Sequence, residues 1–252
     1  MNVVRRMSGC AVAAAVARAG YAGLRRRRRG ARWERTNFAG RAVDLYAGPA
    51  VTAGVLLGAS AVRGPGRGPA VLAGLAAALC GAYDDTRGDH RRGFRAHLGA
   101  LRHGEVTSGA VKLFGIGAAG LAAGALLRER AADKVLAGVV IAGSAHAVNL
   151  VDVRPGRAVL ATLAFGLPRG HLAAVSAGAA AAVAADDLGE RTMLGDMGAH
   201  ALGAVLGTGI AASSGRAGLV AHAAVLLAAA ARPGTVGRLA GSPGRGPVHS
   251  CE

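Results

Sequence analysis

The sequence contains few aromatic residues, few cysteines and almost no lysine. Phe, Trp and Tyr make up 3% of the 252 residues, yet 52% of the chain is hydrophobic, so small aliphatic residues supply most of its apolar surface. Three scattered cysteines exclude a disulfide framework. A mean hydropathy of +0.36 is too high for a soluble globule, and the chain is too long for a single membrane anchor. The composition therefore predicts a polytopic membrane protein with closely packed helices.

Acidic residues are also scarce. The sequence contains 14 Asp and Glu but 30 Lys and Arg, which gives a net charge of +16. In a soluble protein this excess would favour nucleic-acid binding. Here the arginines lie mainly between apolar runs, where positive charge orients membrane segments. We therefore expect membrane lipid and no nucleic acid among the partners. Only Lys112 and Lys134 are lysines, which makes a lysine inside an apolar run unusual.

Apolar runs bounded by charge, Gly or Pro predict the membrane segments. A full span needs about 20 residues, so the shorter runs must extend into their flanks. We predict an all-α fold, a polytopic transmembrane bundle of about nine spans that forms one integral membrane domain over residues 1–231. The Gly/Pro-rich residues 232–252 are predicted to be a disordered cytoplasmic tail. The nine runs are residues 8–24, 42–62, 69–83, 107–127, 135–151, 158–167, 170–185, 199–212 and 217–231.

Alternate loops of this prediction differ in charge, and one set carries more than twice as many Lys and Arg as the other. The positive-inside rule then places the N-terminus outside and the C-terminus in the cytoplasm. Eight of the 14 acidic residues fall on the same positive side, where solvation alone gives no reason to collect them. A shared polar site at the cytoplasmic rim is the natural inference. These residues are Asp84, Asp85, Asp89, Asp152, Asp186, Asp187, Glu190 and Asp196.

The third apolar run ends abruptly in adjacent carboxylates, Asp84 and Asp85. The two anions repel each other and lie beside the negative end of their own helix dipole, so a positive group should compensate them. A hard divalent cation is one candidate. The other is the arginine group that follows, with local ion pairs at a solvated loop. That group consists of Arg87, Arg91, Arg92 and Arg95.

Three other stretches bring polar groups to the same rim. Lys112 lies about one and a half turns into the fourth run, where an ammonium is costly unless it meets an anion. Asn149 and Asp152 are three residues apart and share a helix face, so they can read a polar ligand by hydrogen bonds. Asp196 lies between two glycines before the eighth run, either as a helix cap or where a ligand approaches the helix N-terminus.

Together these residues resemble a known family. The stretches GAYDDTRGD, Lys112, VNLVD and LGDMGAHALG follow the order and spacing of the polyprenyl-phosphate N-acetylhexosamine-1-phosphate transferases, which include phospho-N-acetylmuramoyl-pentapeptide transferase. The resemblance covers roughly residues 33–210 and implies an enzyme of the cell inner membrane. Such an enzyme transfers a sugar-1-phosphate from a UDP-sugar to polyprenyl phosphate and releases UMP.

The resemblance also implies roles for single residues. Asp84 and Asp85 correspond to the essential aspartate pair, and Asp196, with Asp85, to the ligands of Mg²⁺, for which Mn²⁺ is the alternative. Lys112 would contact phosphate. Asn149 and Asp152 match the start of the motif NxxDGxDG near the nucleotide. A homodimer is compatible with this interpretation.

Several family features are absent from the sequence. Pro155 replaces the second aspartate of the nucleotide motif, and no histidine-rich loop near the C-terminus is available to recognise a sugar. His200 and His222 fall within apolar runs and are expected to pack or hydrogen bond in the interior. Two alternatives therefore stay open: a non-catalytic member of the fold that acts as a scaffold or regulator in envelope assembly, and a small transporter.

Overall fold

The computed structural model describes residues 3–27, 30, 33–37, 39–88, 94–167 and 170–232. Helix accounts for 79% of the structure. A short antiparallel hairpin joins the first two helices and consists of β1 (Glu34–Thr36) and β2 (Ala42–Asp44), with Arg35 opposite Val43. The helices are α1 (Val3–Arg27), α2 (Ala47–Ala61), α3 (Arg67–Arg87), α4 (Phe94–Arg102), α5 (Ser108–Leu127), α6 (Ala131–Val151), α7 (Arg157–Gly166), α8 (His171–Leu188), α9 (Gly195–Ser213) and α10 (Arg216–Ala231).

Each of the nine apolar runs contains a helix, because Gly, Pro and charged residues at the ends of the runs also end the helices. One local prediction is wrong. The run that starts at Ala42 begins with a strand, since residues 42–44 pair with β1. The segment between the third and fourth runs also contains a short helix, α4, which lies outside the apolar runs. Asp89, Arg91, Arg92 and the tail 233–252 lie outside the described residues.

Two helices, α5 and α6, are long and apolar enough to cross a membrane. In the most apolar stretches of these helices, 28% of the residues of α5 and 39% of those of α6 are buried. A core helix of a soluble protein would be mostly buried, so these two helices support membrane association and nothing finer. At ten residues, α7 is about 15 Å long, half of the ~30 Å apolar layer. The count of nine spans and their orientation stay predictions.

The core of the bundle is α9, which contacts α2, α3, α5, α6, α7 and α8. Its sequence is almost entirely Gly, Ala and small aliphatic residues, so neighbouring helices approach it on every side. At its C-terminal end Arg128 donates hydrogen bonds to the carbonyl oxygens of Ala211 and Ser214. These carbonyls have no partner within the helix, and a cation there also complements the helix dipole. Arg128 therefore fixes the end of α9 that lies far from Asp196.

A cluster of charged residues fixes the segment that leads into α9. The carboxylate of Asp186, at the end of α8, accepts hydrogen bonds from Arg18 at 2.7 Å and Arg191 at 2.8 Å. Arg25 lies 3.6 Å from the same carboxylate and 3.6 Å from Asp44 on β2. Helix α1, the hairpin and the loop before α9 are thus joined at one point. This connection sets where α9 begins.

Candidate functional site

The end of α3 directs its two aspartates toward different neighbours. Successive residues on a helix point about 100° apart, and α3 packs against both α9 and α5. Asp85 faces the start of α9, whereas Asp84 faces α5. The two adjacent carboxylates are therefore held by different partners, and each must be considered separately.

Asp85 caps α9 from outside that helix. Its Oδ1 accepts the backbone N–H of Asp196 at 2.9 Å, and its Oδ2 accepts that of Met197 at 2.9 Å. The residue at the N-cap position, Leu194, has no side-chain acceptor, so Asp85 satisfies donors that the helix leaves open. The helix N-terminus that we expected Asp196 to cap or a ligand to approach is thus capped by Asp85 of α3. Burial raises the pKa of Asp85, and the two N–H bonds oppose that rise.

Two glycines allow this close approach. A Cβ on Gly81 would lie 2.6 Å from the backbone nitrogen of Met197 and would also collide with the carbonyl of Asp196, so the backbones of α3 and α9 are in direct contact there. Gly195 has a φ of 62°, a left-handed conformation that side chains disfavour. A Cβ there would lie 3.1 Å from Oδ2 of Asp85. The sequence Gly195-Asp196, just before the eighth run, thus allows the carboxylate of Asp85 to approach the start of α9.

Lys112 joins the remaining carboxylates. Its Nζ donates to Oδ2 of Asp84 at 2.6 Å and to Oδ2 of Asp196 at 2.5 Å. Ser108, one turn earlier on α5, also hydrogen bonds to Asp84. The three side chains are only 20% to 24% exposed, which strengthens the attraction between their charges. Residues far apart in sequence therefore meet at one cation.

The two carboxylates on Lys112 differ in proton affinity. Burial raises the pKa of Asp196 to about 7, and its hydrogen bond with Asp84 adds to that rise. Burial also acts to raise the pKa of Asp84, but hydrogen bonds with Asp196, Lys112 and Ser108 outweigh it and lower the pKa to about 2. A single proton held between two carboxylates is the usual outcome when like charges share a buried site. A proton shared by this pair leaves one negative charge, which the ammonium of Lys112 balances.

A cleft of about 640 Å³ opens beside these aspartates, and Asn149 and Asp152 line it from the end of α6. Burial raises the pKa of Asp152 well above its usual value, and the charge of Asp187 raises it further. Asp187 is 1% exposed, and its Oδ2 accepts the backbone N–H of Gly156 at 2.8 Å. A carboxylate from α8 thus fixes the turn that contains Pro155.

All six site residues named from the sequence lie around this cleft or at its base. Asp84, Asp85, Asn149, Asp152 and Asp196 line it, and Lys112 contacts two of them. The sequence analysis missed Arg35 on β1, which also lines the cleft. Our expectation for the histidines is confirmed: Nδ1 of the buried His200 bonds to the carbonyl of Asp196 at 2.7 Å, and that of His222 to Gly218 at 2.7 Å.

Among the described residues, no group of three or more His, Cys, Asp and Glu side chains is arranged to hold a metal ion. Two carboxylates, those of Asp84 and Asp196, do converge on the ammonium of Lys112. Mg²⁺ in phosphate-binding sites commonly takes only one or two protein carboxylates and completes its shell with water and phosphate. Asp84 and Asp196 are therefore two available oxygen donors, and in this structure each bonds to Lys112 through its Oδ2.

No protein-family model matches the chain, and no curated protein matches it. The family named from the motifs therefore stays a prediction, and function has to be inferred from the geometry of the site.

Proposed function

We propose that this protein transfers a sugar-1-phosphate from a UDP-sugar to polyprenyl phosphate at the membrane surface. The observation that carries the proposal is the convergence of Asp84 and Asp196, from two different helices, on Lys112 at the base of one cleft. Lys112 belongs to a helix that is long and apolar enough to cross a membrane. Such a site is open to a lipid phosphate from the bilayer and to a soluble nucleotide from water.

In the proposed reaction an oxygen of the lipid phosphate attacks the phosphorus attached to the sugar. The bond between that phosphorus and the bridging oxygen breaks, and UMP leaves with that oxygen and the electron pair. Little covalent chemistry falls to the protein, so positioning and charge neutralisation dominate catalysis. A Mg²⁺ ion on Asp84 and Asp196 would supply part of that neutralisation when bound.

Different residues of the chain would then bind different parts of the two substrates. Lys112 neutralises phosphate oxygens near the membrane, and Asp85 positions Asp196 by capping α9. Asn149 and Asp152, which also line the cleft, provide hydrogen-bonding groups for the uridine. Asp84 would lie close to the reacting phosphates, because it is bonded to Lys112 and also lines the cleft.

The test is formation of a lipid-linked product by the purified full-length protein in detergent. A panel of radiolabelled UDP-sugars with undecaprenyl phosphate and Mg²⁺ is expected to give labelled lipid and free UMP with one donor. Asp196→Asn should lower that rate by about 10²-fold or more, since it removes a charge next to the reacting phosphates. Asp133→Asn is the matched control, because Asp133 pairs with Arg216 outside the cleft.

Failure of every donor would contradict the transferase proposal. Nucleotide binding without turnover would instead favour the non-catalytic scaffold, for which the replacement of the second motif aspartate by Pro155 is the supporting feature. Mg²⁺-independent uptake of a substrate into proteoliposomes would favour the transporter.

The same proposal places the protein as a multi-pass protein of the cell inner membrane, with about nine spans and the cleft facing the cytoplasm. Met193 lines the cleft, so its replacement by cysteine in a variant without the native cysteines tests this orientation. The new thiol should be protected from an impermeant maleimide in intact cells and labelled after permeabilisation. Labelling in intact cells would place the cleft outside.

A further inference from the structure

The hairpin β1–β2 is rigidly attached beside the cleft. Asn37 closes its turn by accepting the N–H groups of Ala39 and Arg41, both at 2.9 Å. The second strand pairs in parallel with the segment before α9, where the Met193 N–H donates to the carbonyl of Asp44 at 2.9 Å. The Asn37 side chain donates to Glu190 at 2.8 Å. The hairpin therefore keeps a fixed position relative to Asp196.

Arg35 extends from the first strand to the end of α3. Its guanidinium donates to the carbonyl oxygen of Glu34 at 2.8 Å and to that of Asp85 at 2.9 Å. These two carbonyl acceptors orient the guanidinium beside the cleft. Arg35 is exposed and lines the cleft together with Thr36, so its planar group stands at the water side of the aspartates.

The charges around the cleft make this arginine distinctive. Among the described residues that line the cleft, Arg35 is the one cation. The carboxylates in the same lining are those of Asp84, Asp85, Asp152 and Asp196. Lys112 lies deeper, between two of these carboxylates, on a candidate membrane helix. A soluble anion that enters from water therefore meets Arg35 before it meets Lys112.

Arginine also has the geometry that this position calls for. A guanidinium presents its N–H groups in a planar fork that matches two phosphate oxygens, whereas a lysine acts as a point charge. A nucleoside diphosphate-sugar carries two linked phosphates, and its nucleoside would lie toward Asn149 and Asp152. Arg35 is on the hairpin side of the same cleft, where those phosphates would be within reach.

We propose that Arg35 binds the phosphate groups of the soluble nucleotide substrate, so that the hairpin determines the affinity for the donor while Lys112 serves the lipid phosphate. This inference rests on the proposed function. Arg35 would be a specificity-determining residue, and it lies on the hairpin, outside the four sequence motifs. The contact recognises phosphate and leaves recognition of the uridine to other residues.

The test compares binding of UMP and uridine to the full-length protein by calorimetry in detergent, with Mg²⁺ present. The wild type should bind UMP more tightly than uridine. Arg35→Gln should weaken UMP binding by roughly 10- to 100-fold, as expected for a lost charge-assisted hydrogen bond, and leave uridine binding unchanged. Arg35→Lys should retain part of the preference because it keeps the charge and loses the fork.

Arg41→Gln is the matched control, since Arg41 belongs to the same hairpin and pairs with Glu190 at 3.6 Å without lining the cleft. It should bind UMP as the wild type does. The inference would be overturned if Arg35→Gln lost affinity for uridine and UMP equally and also lost thermal stability. That result would show that Arg35 only attaches the hairpin to α3.

Two further results separate this inference from the proposed function. If the wild type prefers UMP and Arg35→Gln keeps the same preference, the inference is wrong and the transferase proposal is unaffected. If the wild type binds neither UMP nor a UDP-sugar, the transferase proposal is wrong and the role of Arg35 falls with it.

Discussion

Replacing Lys112 by methionine is expected to lower lipid-linked product formation by about 10²- to 10³-fold, the usual cost of removing one positioned charge or donor from a transition state. Methionine keeps much of the length and apolar surface of lysine, so packing within α5 should change little. Without the ammonium, Asp84 and Asp196 face each other across the position of Nζ. The unfolding free energy should also fall, by roughly 1–3 kcal/mol, because charge-assisted hydrogen bonds are lost.

Lys134→Met provides the control, because Lys134 is the only other lysine of the chain. It lies in the first turn of α6, about 27 Å along that helix from Asp152, so its replacement should leave turnover unchanged. Both variants are compared in the radiolabelled assay and by thermal unfolding in detergent. Wild-type turnover in Lys112→Met would show that the reaction does not use this ammonium.

Replacing Gly81 by valine is expected to lower turnover by about 10²-fold, since a displacement of 1 Å in a catalytic group can have an effect of that size. The added Cβ would lie 2.6 Å from the Met197 nitrogen, so α3 and α9 must separate. Separation moves Asp85 away from the N–H groups it caps, and it changes the distance between Asp84 and Asp196. Overpacking of this kind should also destabilise the protein by about 1–3 kcal/mol.

Gly117→Val makes the same change at a helical glycine of α5, where an added Cβ meets nothing within 4 Å. It therefore measures the intrinsic cost of valine in a helix, and turnover should remain close to that of the wild type. Gly81→Ala should fall between the two. If Gly81→Val matched Gly117→Val in both activity and unfolding midpoint, close contact between α3 and α9 would not be what positions the aspartates.

Apolar runs and charge were sufficient to predict nine of the ten helices of the described residues and the place where the polar residues gather. Asp84 ends an apolar run, Lys112 begins one, and Asp196 precedes another, so all three were expected at a common rim. Helix ends carry strong local signals in the form of charge, Gly and Pro, which explains why these predictions needed no tertiary information.

The individual partners could not be predicted in the same way. Whether Asp85 caps α9 or stays open to a ligand depends on the rotation of α3 against α9, which packing between distant segments decides. Gly81 looks like any other small residue in a run of Ala and Gly until the neighbouring backbone is known. Arg35 follows a run of arginines that topology alone explained, and strands of three residues are too short to show an alternating pattern.

Helix α9 is held at both of its ends by side chains from outside the helix, Asp85 of α3 at the first turn and Arg128, which follows α5, at the last. A translation along its axis by one residue, about 1.5 Å, would break both sets of hydrogen bonds at once. The helix should therefore resist sliding as a piston, and any motion that accompanies product release should occur in the elements around it. Its rigidity makes α9 the fixed reference against which the hairpin, α3 and α5 are placed.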